Sequence, residues 1–436
     1  MNRLSSLSPA EKRELLAAIL RRKALDRSEP LDGHALEGEA VLDPAIRGLA
    51  SPSAAAATDA LLTGATGFLG SFLLRELLAS GAGRVCCLVR APDGAAGQRR
   101  LQEALRSRGL WNDEVPERVI AVPGDLSAPR LGLPASDFEA LGARLRAIFH
   151  AGASVSFGLP YRAQWPGNVS GTHEILRLAA VAGAPVHYVS TVAVLGVPDT
   201  GSRPQDEDTV LEDVRSLYGG YARTKWVAEK LVRAAAGRGL ACTTYRLGGL
   251  AGDARTGVCN PADVWWRFVK GCIQLGSIAD LAGALNLIPV DFACRAIVAL
   301  AARPDARGRT FHLVNPASLP IDRLVDWLRD RGYPLLRRPY RAWRGELAAA
   351  APGGEVSTLR SFVEGFPSDS PDAPPHLFRA LTTEHVASDQ TRRALAECAL
   401  ACPPLDERLL TVCFSYLEGE GFLARPDRPA SPPPGG

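Results

Sequence analysis

Tyr221 and Lys225 stand four residues apart in Tyr221-Ala-Arg-Thr-Lys225, a spacing that puts both on one face of a helix, one turn apart. A lysine ammonium placed there lowers the pKa of the phenol and binds ribose hydroxyls. The phenol then donates a proton to a carbonyl oxygen. Thr191, at the end of an apolar run thirty residues earlier, brings a second hydroxyl to the same oxygen. A Tyr-x-x-x-Lys pair alone is common on helix surfaces. Its weight comes from the glycine pattern that precedes it in the chain.

That pattern is Thr63-Gly64-Ala65-Thr66-Gly67-Phe68-Leu69-Gly70, between the apolar run Ala60-Leu61-Leu62 and a helical repeat of Phe68, Phe72, Leu73 and Leu77. Strand, glycine turn and helix make a dinucleotide site. Gly64 allows the tight turn, Gly67 lets backbone approach a pyrophosphate, and Gly70 lets the helix lie close on the sheet. The helix N-terminus supplies free N–H groups and positive dipole. Thr63, Gly64, Thr66, Gly67, Phe68 and Leu69 are thus the expected phosphate-proximal residues. Arg90 closes the second apparent strand, where a NAD-selective site carries an acid, so a 2′-phosphate and hence NADPH are expected. Arg100, with Arg99, is the expected second clamp. Asp125, after the third strand, is placed to accept from the adenine amino group, with Leu126 over the ring; a helix N-cap is the other use of such an Asp. Ala151, in His150-Ala-Gly-Ala153, gives a strand end small enough for the cofactor to cross, and Lys225 meets its nicotinamide ribose. His150 reads equally as a core histidine or a contact.

These residues need a scaffold that delivers strand ends to one edge. The predicted strands are 60–63, 85–90, 119–122, 147–150, 186–190, 242–246, 287–290 and 311–314, with helices between most of them. The alternation predicts an α/β fold, a Rossmann-type doubly wound parallel sheet, with a smaller, mainly helical C-terminal substrate domain. The expected divisions are 1–58 (an amphipathic helix over 1–25 and a linker at 51–58), 59–318 (dinucleotide-binding), 319–424 (helical, shaping a substrate tunnel) and 425–436 (a disordered Pro-rich tail). Trp327, Trp343, Phe362 and Phe366 are expected mainly in the core of the helical part. Arg337, Arg338, Arg341 and Arg344 read either as a solvated basic face or as a docking patch.

Length and composition exclude other classes. The 436 residues carry a net charge of +3, which makes no case for nucleic acid. No apolar run approaches the ~18 residues of a membrane span, and residues 1–20 lack a signal peptide's apolar core. The nine cysteines include no Cys-x-x-Cys pair, so neither a metal site nor a disulfide framework is expected. Reduced thiols point to the cytoplasm.

Together these motifs resemble the extended short-chain dehydrogenase/reductase superfamily, and within it the thioester reductase (terminal R) domains of nonribosomal peptide and polyketide synthetases. The resemblance runs from about Glu39 to Leu423. It rests on Ala40-Val-Leu-Asp-Pro44, LLTGATGFLG, CLVRA, GDL, HAGA, Asn168-Val-Ser-Gly-Thr172, HYVSTVAV, YARTKWVAE, Gly252-Asp-Ala-Arg-Thr-Gly257, Phe268–Gly276, IPVDF and FHLVNP. The stretch around Lys270-Gly271 and Gln274-Leu275-Gly276 separates this branch from sugar-nucleotide epimerases. The resemblance implies a Thr191-Tyr221-Lys225 triad, NADPH as cofactor, and an acyl or peptidyl chain on a carrier protein's phosphopantetheine thiol as substrate. The product is an aldehyde, or an alcohol after a second reduction. It also implies a monomer, either free-standing or a piece of a longer synthetase. Ser156 stands where Asn is usual and Leu247 where Pro is usual, which bears on fine specificity. The alternatives are another extended-family reductase, such as a fatty acyl-CoA reductase, and a non-catalytic NADP-binding redox sensor.

Overall fold

The computed structural model describes residues 33–48, 57–81, 83–112, 115–196, 203–212, 214–281, 283–351, 354–364 and 385–426. The leading helix expected over 1–25, most of the linker at 51–58, Phe366 and the Pro-rich stretch after it, and the tail from 427 lie outside them.

Seven parallel strands form the central sheet: β1 (Asp59–Thr63), β2 (Val85–Val89), β3 (Val119–Pro123), β4 (Leu145–His150), β5 (Val186–Thr191), β6 (Cys242–Leu247) and β7 (Thr310–Leu313), in the order β7-β6-β5-β4-β1-β2-β3. β1 and β2 are buried at every position, as a parallel sheet covered on both faces requires. The helices used below are α1 (Phe68–Ala79), α2 (Gly94–Arg106), α3 (Ala135–Gly142), α4 (Gly171–Ala182), α5 (Gly219–Gly237), α6 (Val264–Leu275), α7 (Val290–Ala301), α8 (Ile321–Asp330), α9 (Tyr340–Ala349), α10 (Gly354–Glu364), α11 (Asp389–Glu397) and α12 (Glu407–Gly419).

Alternation along each strand divides the core in two. Leu61, Cys86 and Ile148 face Leu176 of α4 and Trp226 and Leu231 of α5. Leu62, Cys87 and Phe149 face Phe72 of α1, Leu101 of α2 and Phe292 of α7. A third apolar cluster gathers Trp265, Trp266 and Phe268 of α6 with Leu324 of α8, Trp343 of α9 and Phe414 of α12. Trp343 is fully buried there, and Trp327 is edge-on to Phe414 at 4.9 Å.

One predicted strand does not join the sheet. Leu287–Pro289 pairs instead with Gly249–Ala251, outside β6, and α7 starts at the next residue. An apolar tripeptide between polar Asn286 and a helix start has too little length to cross a large sheet. The helix Gly33–Glu39, in a stretch without clear periodicity, buries Leu36.

The helical part is tied to the sheet by the loop Gly252–Gly257. A Cβ on Gly257 (φ +74°) would lie 2.2 Å from the Val412 carbonyl oxygen of α12. From the same loop, Asp253 pairs with Arg75 of α1 at 3.3 Å.

Candidate active site

Parallel strands deliver their C-terminal ends to one edge, and β5, β4, β1, β2 and β3 are neighbours along it. Thr191, Ala151, Gly64, Arg90 and Asp125 end or follow these five strands in that order.

At the β1 end Gly64 and Gly70 leave no room for side chains. Gly64 has φ +79°, and a Cβ on it would lie 2.8 Å from Gly152 Cα. Gly67 stands at the N-cap of α1 without a side-chain cap. Its N–H donates to the Gly64 carbonyl at 2.8 Å. Ser71 Oγ closes the turn by donating to the Ala65 and Gly67 carbonyls at 3.0 and 2.8 Å. A cradle of bare backbone against an uncapped helix N-terminus fits a dinucleotide pyrophosphate. Thr66, in the turn, and Phe68 and Leu69, which open α1, are half-buried, and Phe68 is edge-on to Phe72 at 5.4 Å.

Thr63 is fully buried and works beneath the cradle. Its hydroxyl accepts from Gly152 N–H at 2.8 Å and lies 2.8 Å from His150 Nδ1. His150 Nε2 is 3.1 Å from Thr172 Oγ1, which itself donates to the Asn168 carbonyl at 2.6 Å. Thr172 has therefore spent its proton, so Nε2–H donates to it and bare Nδ1 accepts from Thr63. Burial, aided by the Lys225 charge, pushes His150 down to about 3. It is a satisfied core histidine that fixes β1 to β4. Next to it, a Cβ on Gly152 would meet Leu126 Cδ1 at 2.8 Å, which seats Leu126 against the β4 end beside half-buried Ala151.

On the other side of the cradle, Arg90 is exposed at the end of β2, and Arg100 Nη1 of α2 donates to its carbonyl. Arg99 is exposed. Asp125 is not a helix cap: its Oδ1 accepts from Ser127 N–H and Oγ–H at 2.8 and 2.7 Å in an Asx turn. These bonds, with the Arg90 charge, hold its carboxyl below the usual range.

The β5 end brings three predicted residues together. Thr191 Oγ1 accepts from Ala193 N–H at 3.2 Å. Burial pushes the Tyr221 phenol up to about 12, and the neighbouring Thr191 hydroxyl opposes the rise. Tyr221 thus holds its proton, the form that donates. Phe157 is edge-on to its ring at 5.7 Å. Lys225 lies 4.1 Å over the Tyr188 ring centroid and donates to the Val189 carbonyl at 2.8 Å. Burial pulls its ammonium down to about 7.

Several residues with structural work here had no role assigned from sequence. Asn168 sits in a single π-helical turn, Pro166–Ser170. Its Oδ1 accepts from Ser154 N–H at 2.7 Å, and its Nδ2 donates to Thr224 Oγ1 at 2.9 Å. Thr224 in turn donates to the Tyr221 carbonyl at 2.8 Å, so Asn168 joins the β4 end to the Tyr221 turn. Glu229, fully buried one turn past Lys225, accepts from Ser190 Oγ at 2.6 Å and pairs with Arg246 at 2.6 Å. The signal for Glu229 was a carboxylate four residues past Lys225, on the same face of the helix. Of the two unusual positions, Ser156 donates its N–H to Gln164 at 3.2 Å, and Leu247 is buried at the end of β6.

Among the described residues there is no group of His, Cys, Asp and Glu able to hold a metal ion, and no helix long and apolar enough to cross a membrane.

The profile of an NAD-binding family described as male sterility protein matches residues 62–297. One polypeptide of the linear gramicidin synthase of Brevibacillus parabrevis is 36% identical over 409 residues, covering 91% of this chain and 8% of that protein. Isonitrile lipopeptide synthase of Streptomyces coeruleorubidus is 37% identical over 389 residues, covering 88% of this chain and 26% of that protein. This chain therefore spans only a small part of these relatives. The crystal structure of the terminal R domain from the myxalamid polyketide–nonribosomal peptide pathway superposes with a TM-score of 0.84 at 40% identity, over 91% of this chain and 100% of that one. The chain belongs to the male sterility family of nicotinamide-nucleotide-binding proteins, among the terminal reductase domains of nonribosomal peptide and polyketide synthetases.

Proposed function

We propose that this protein releases an acyl or peptidyl chain from a carrier protein's phosphopantetheine thiol by NADPH-dependent reduction to an aldehyde. The observation that carries the reading is the placing of Tyr221 and Lys225, one turn apart on α5, against the end of β5 that carries Thr191, at the sheet edge that also holds the glycine cradle. Gly64, Gly67 and the start of α1 would hold the pyrophosphate, Arg90 and Arg100 the 2′-phosphate, and Lys225 the nicotinamide ribose. When bound, NADPH supplies the hydride that the thioester carbonyl carbon accepts.

The chain's own groups act on the carbonyl oxygen. Negative charge gathers there, and the Thr191 and Tyr221 hydroxyls stabilise it before Tyr221 gives up its proton. The resulting hemithioacetal collapses, expelling the carrier thiol and leaving the aldehyde. No acyl-enzyme is needed, in keeping with the absence of a Gly-x-Ser-x-Gly elbow from the sequence. Donation rather than abstraction suits a phenol that burial keeps protonated.

The test follows NADPH oxidation with an acyl-carrier thioester, an acyl-CoA and a free aldehyde, each with wild type and Tyr221→Phe. Thioester turnover that falls by at least about 100-fold in the variant is the expected result. Full turnover by Tyr221→Phe would overturn the mechanism. Preference for the acyl-CoA would favour an acyl-CoA reductase, and aldehyde turnover would extend the reaction to the alcohol.

A further inference from the structure

We propose that Glu229 is a positioning residue of this site: its buried carboxylate is the counter-charge of Lys225, and it tethers the strand end that carries Thr191. The inference rests on the reading of Thr191, Tyr221 and Lys225 as the reacting and cofactor-binding groups.

Tyr221, Lys225 and Glu229 recur at four-residue steps along α5, so they form one stripe facing the end of β5. Glu229 is fully buried, and an unpaired carboxylate there would be prohibitively costly. Its partners come from three elements. Ser190 Oγ donates to Oε2 at 2.6 Å from β5, immediately before Thr191. From β6, Arg246 donates Nε and Nη2 to Oε1 at 3.0 and 2.6 Å, and it too is fully buried. Arg233, one turn further along α5, lies at 3.5 Å. These partners keep the carboxylate ionised.

The network does not end there. Arg246 Nη1 donates to His312 Nε2 at 3.1 Å on β7, and His312 Nδ1–H donates to the Ala387 carbonyl at 2.7 Å. His312 N–H donates to Thr391 Oγ1 of α11 at 2.8 Å. The carboxylate beside Lys225 is thus braced through β6 and β7 to the segment 387–391.

Around Lys225, the facing groups are Tyr221 and Glu229 on α5, the Tyr188 ring and Val189 carbonyl on β5, and neutral His150 on β4. Among the described residues facing Lys225, Glu229 is the only carboxylate. Burial works against the Lys225 charge and Glu229 works for it. Removing the negative charge must therefore make Lys225 lose its proton at lower pH. A purely structural role for Glu229 would weaken the fold and leave that midpoint in place.

The test measures NADPH affinity by fluorescence titration from about pH 6 to about pH 9, with thioester turnover and Tm alongside, in wild type, Glu229→Gln, Glu229→Gln/Arg246→Met, Ser190→Ala and Lys225→Met. The double variant leaves no buried guanidinium unpaired and removes one charge of each sign, so it reports loss of the ion pair without a change in net charge. Wild-type affinity falls as Lys225 deprotonates. In Glu229→Gln the fall sets in about one pH unit or more lower, and in the double variant the shift is smaller. Ser190→Ala keeps the wild-type midpoint and lowers kcat. A folded Glu229→Gln with the wild-type midpoint or with a uniform loss at every pH, or a double variant shifted as far as Glu229→Gln, would overturn the counter-charge. Unchanged kcat in Ser190→Ala would overturn the tether. If Lys225→Met turns over thioester like wild type, the underlying reading fails, whatever the Glu229 variants do.

Discussion

A Cβ on Gly70 would lie 2.0 Å from the carbonyl oxygen of Gly64, a backbone atom, and a Cβ has no torsion of its own by which to move away. No rotamer change relieves it. In Gly70→Ala, α1 must move off β1, and the N-terminal N–H groups leave the cradle. NADPH affinity should fall by at least about 10-fold, with a lowered Tm. Gly237→Ala, at the end of α5 and away from the cradle, is the control: a Cβ there meets nothing within 4 Å. Equal losses in the two variants would show that the close approach of α1 is not what makes the site.

Arg90 and Arg100 touch through the Arg90 carbonyl, so both guanidinium-bearing residues stand at the end of β2. A charge-assisted bond to a 2′-phosphate contributes about 1.5–3 kcal/mol. Arg90→Ala should therefore weaken NADPH by about 10- to 100-fold and leave NADH nearly unchanged, as read by KM for each nucleotide. A matching loss for NADH would place Arg90 on a part shared by both cofactors.

The sheet edge was legible because each of its residues sits where a strand pattern stops. Apolar runs ending in Thr63, His150 or Thr191 locate an edge without tertiary information, and Tyr-x-x-x-Lys needs only helical spacing. What sequence left open was how polar groups are satisfied. His150 could have been a contact or a core residue; that depended on Thr63 and Thr172, distant in sequence, closing its hydrogen bonds. Glu229 depends on Arg246 and Ser190 in the same way. Leu287–Pro289 had a strand's composition, but its pairing with Gly249–Ala251 is a tertiary outcome. Lys225 was expected to act on the Tyr221 phenol, whereas in the structure it engages Val189 and Tyr188.

Four basic residues lie before and within α9: Arg337, paired with Asp322 at 2.7 Å, Arg338, paired with Glu346 at 2.8 Å, and Arg341 and Arg344 on the helix itself. Charge reversal at Arg341 and Arg344 tests whether an acidic carrier meets this face. The double variant should raise KM for a carrier-bound thioester several-fold more than for a small thioester mimic, most clearly at low ionic strength. Equal effects on both substrates would remove this face from docking.

Acid should unfold the protein through its buried histidines. His150 is pushed down to about 3, and His187 and His312 to about 4, each chiefly by burial. A histidine whose pKa is depressed in the folded state binds its proton more readily when unfolded. The stability it confers is complete above the unfolded value near 6.5 and is lost as pH falls toward the folded value. Each of the three contributes a slope approaching about 1.4 kcal/mol per pH unit within that window. Asp263 runs the other way. Burial raises it to about 6, so between its ordinary value and about 6 it favours folding as pH falls and offsets about one histidine. His187 Nδ1 lies 3.0 Å from the Tyr245 hydroxyl, and replacing both by Phe leaves no orphaned partner. Urea unfolding between about pH 6.5 and about pH 4.5 should show net proton uptake on unfolding, reduced by about one proton in His187→Phe/Tyr245→Phe. An unchanged slope would mean that His187 titrates alike in both states and that its burial does not exclude the charge.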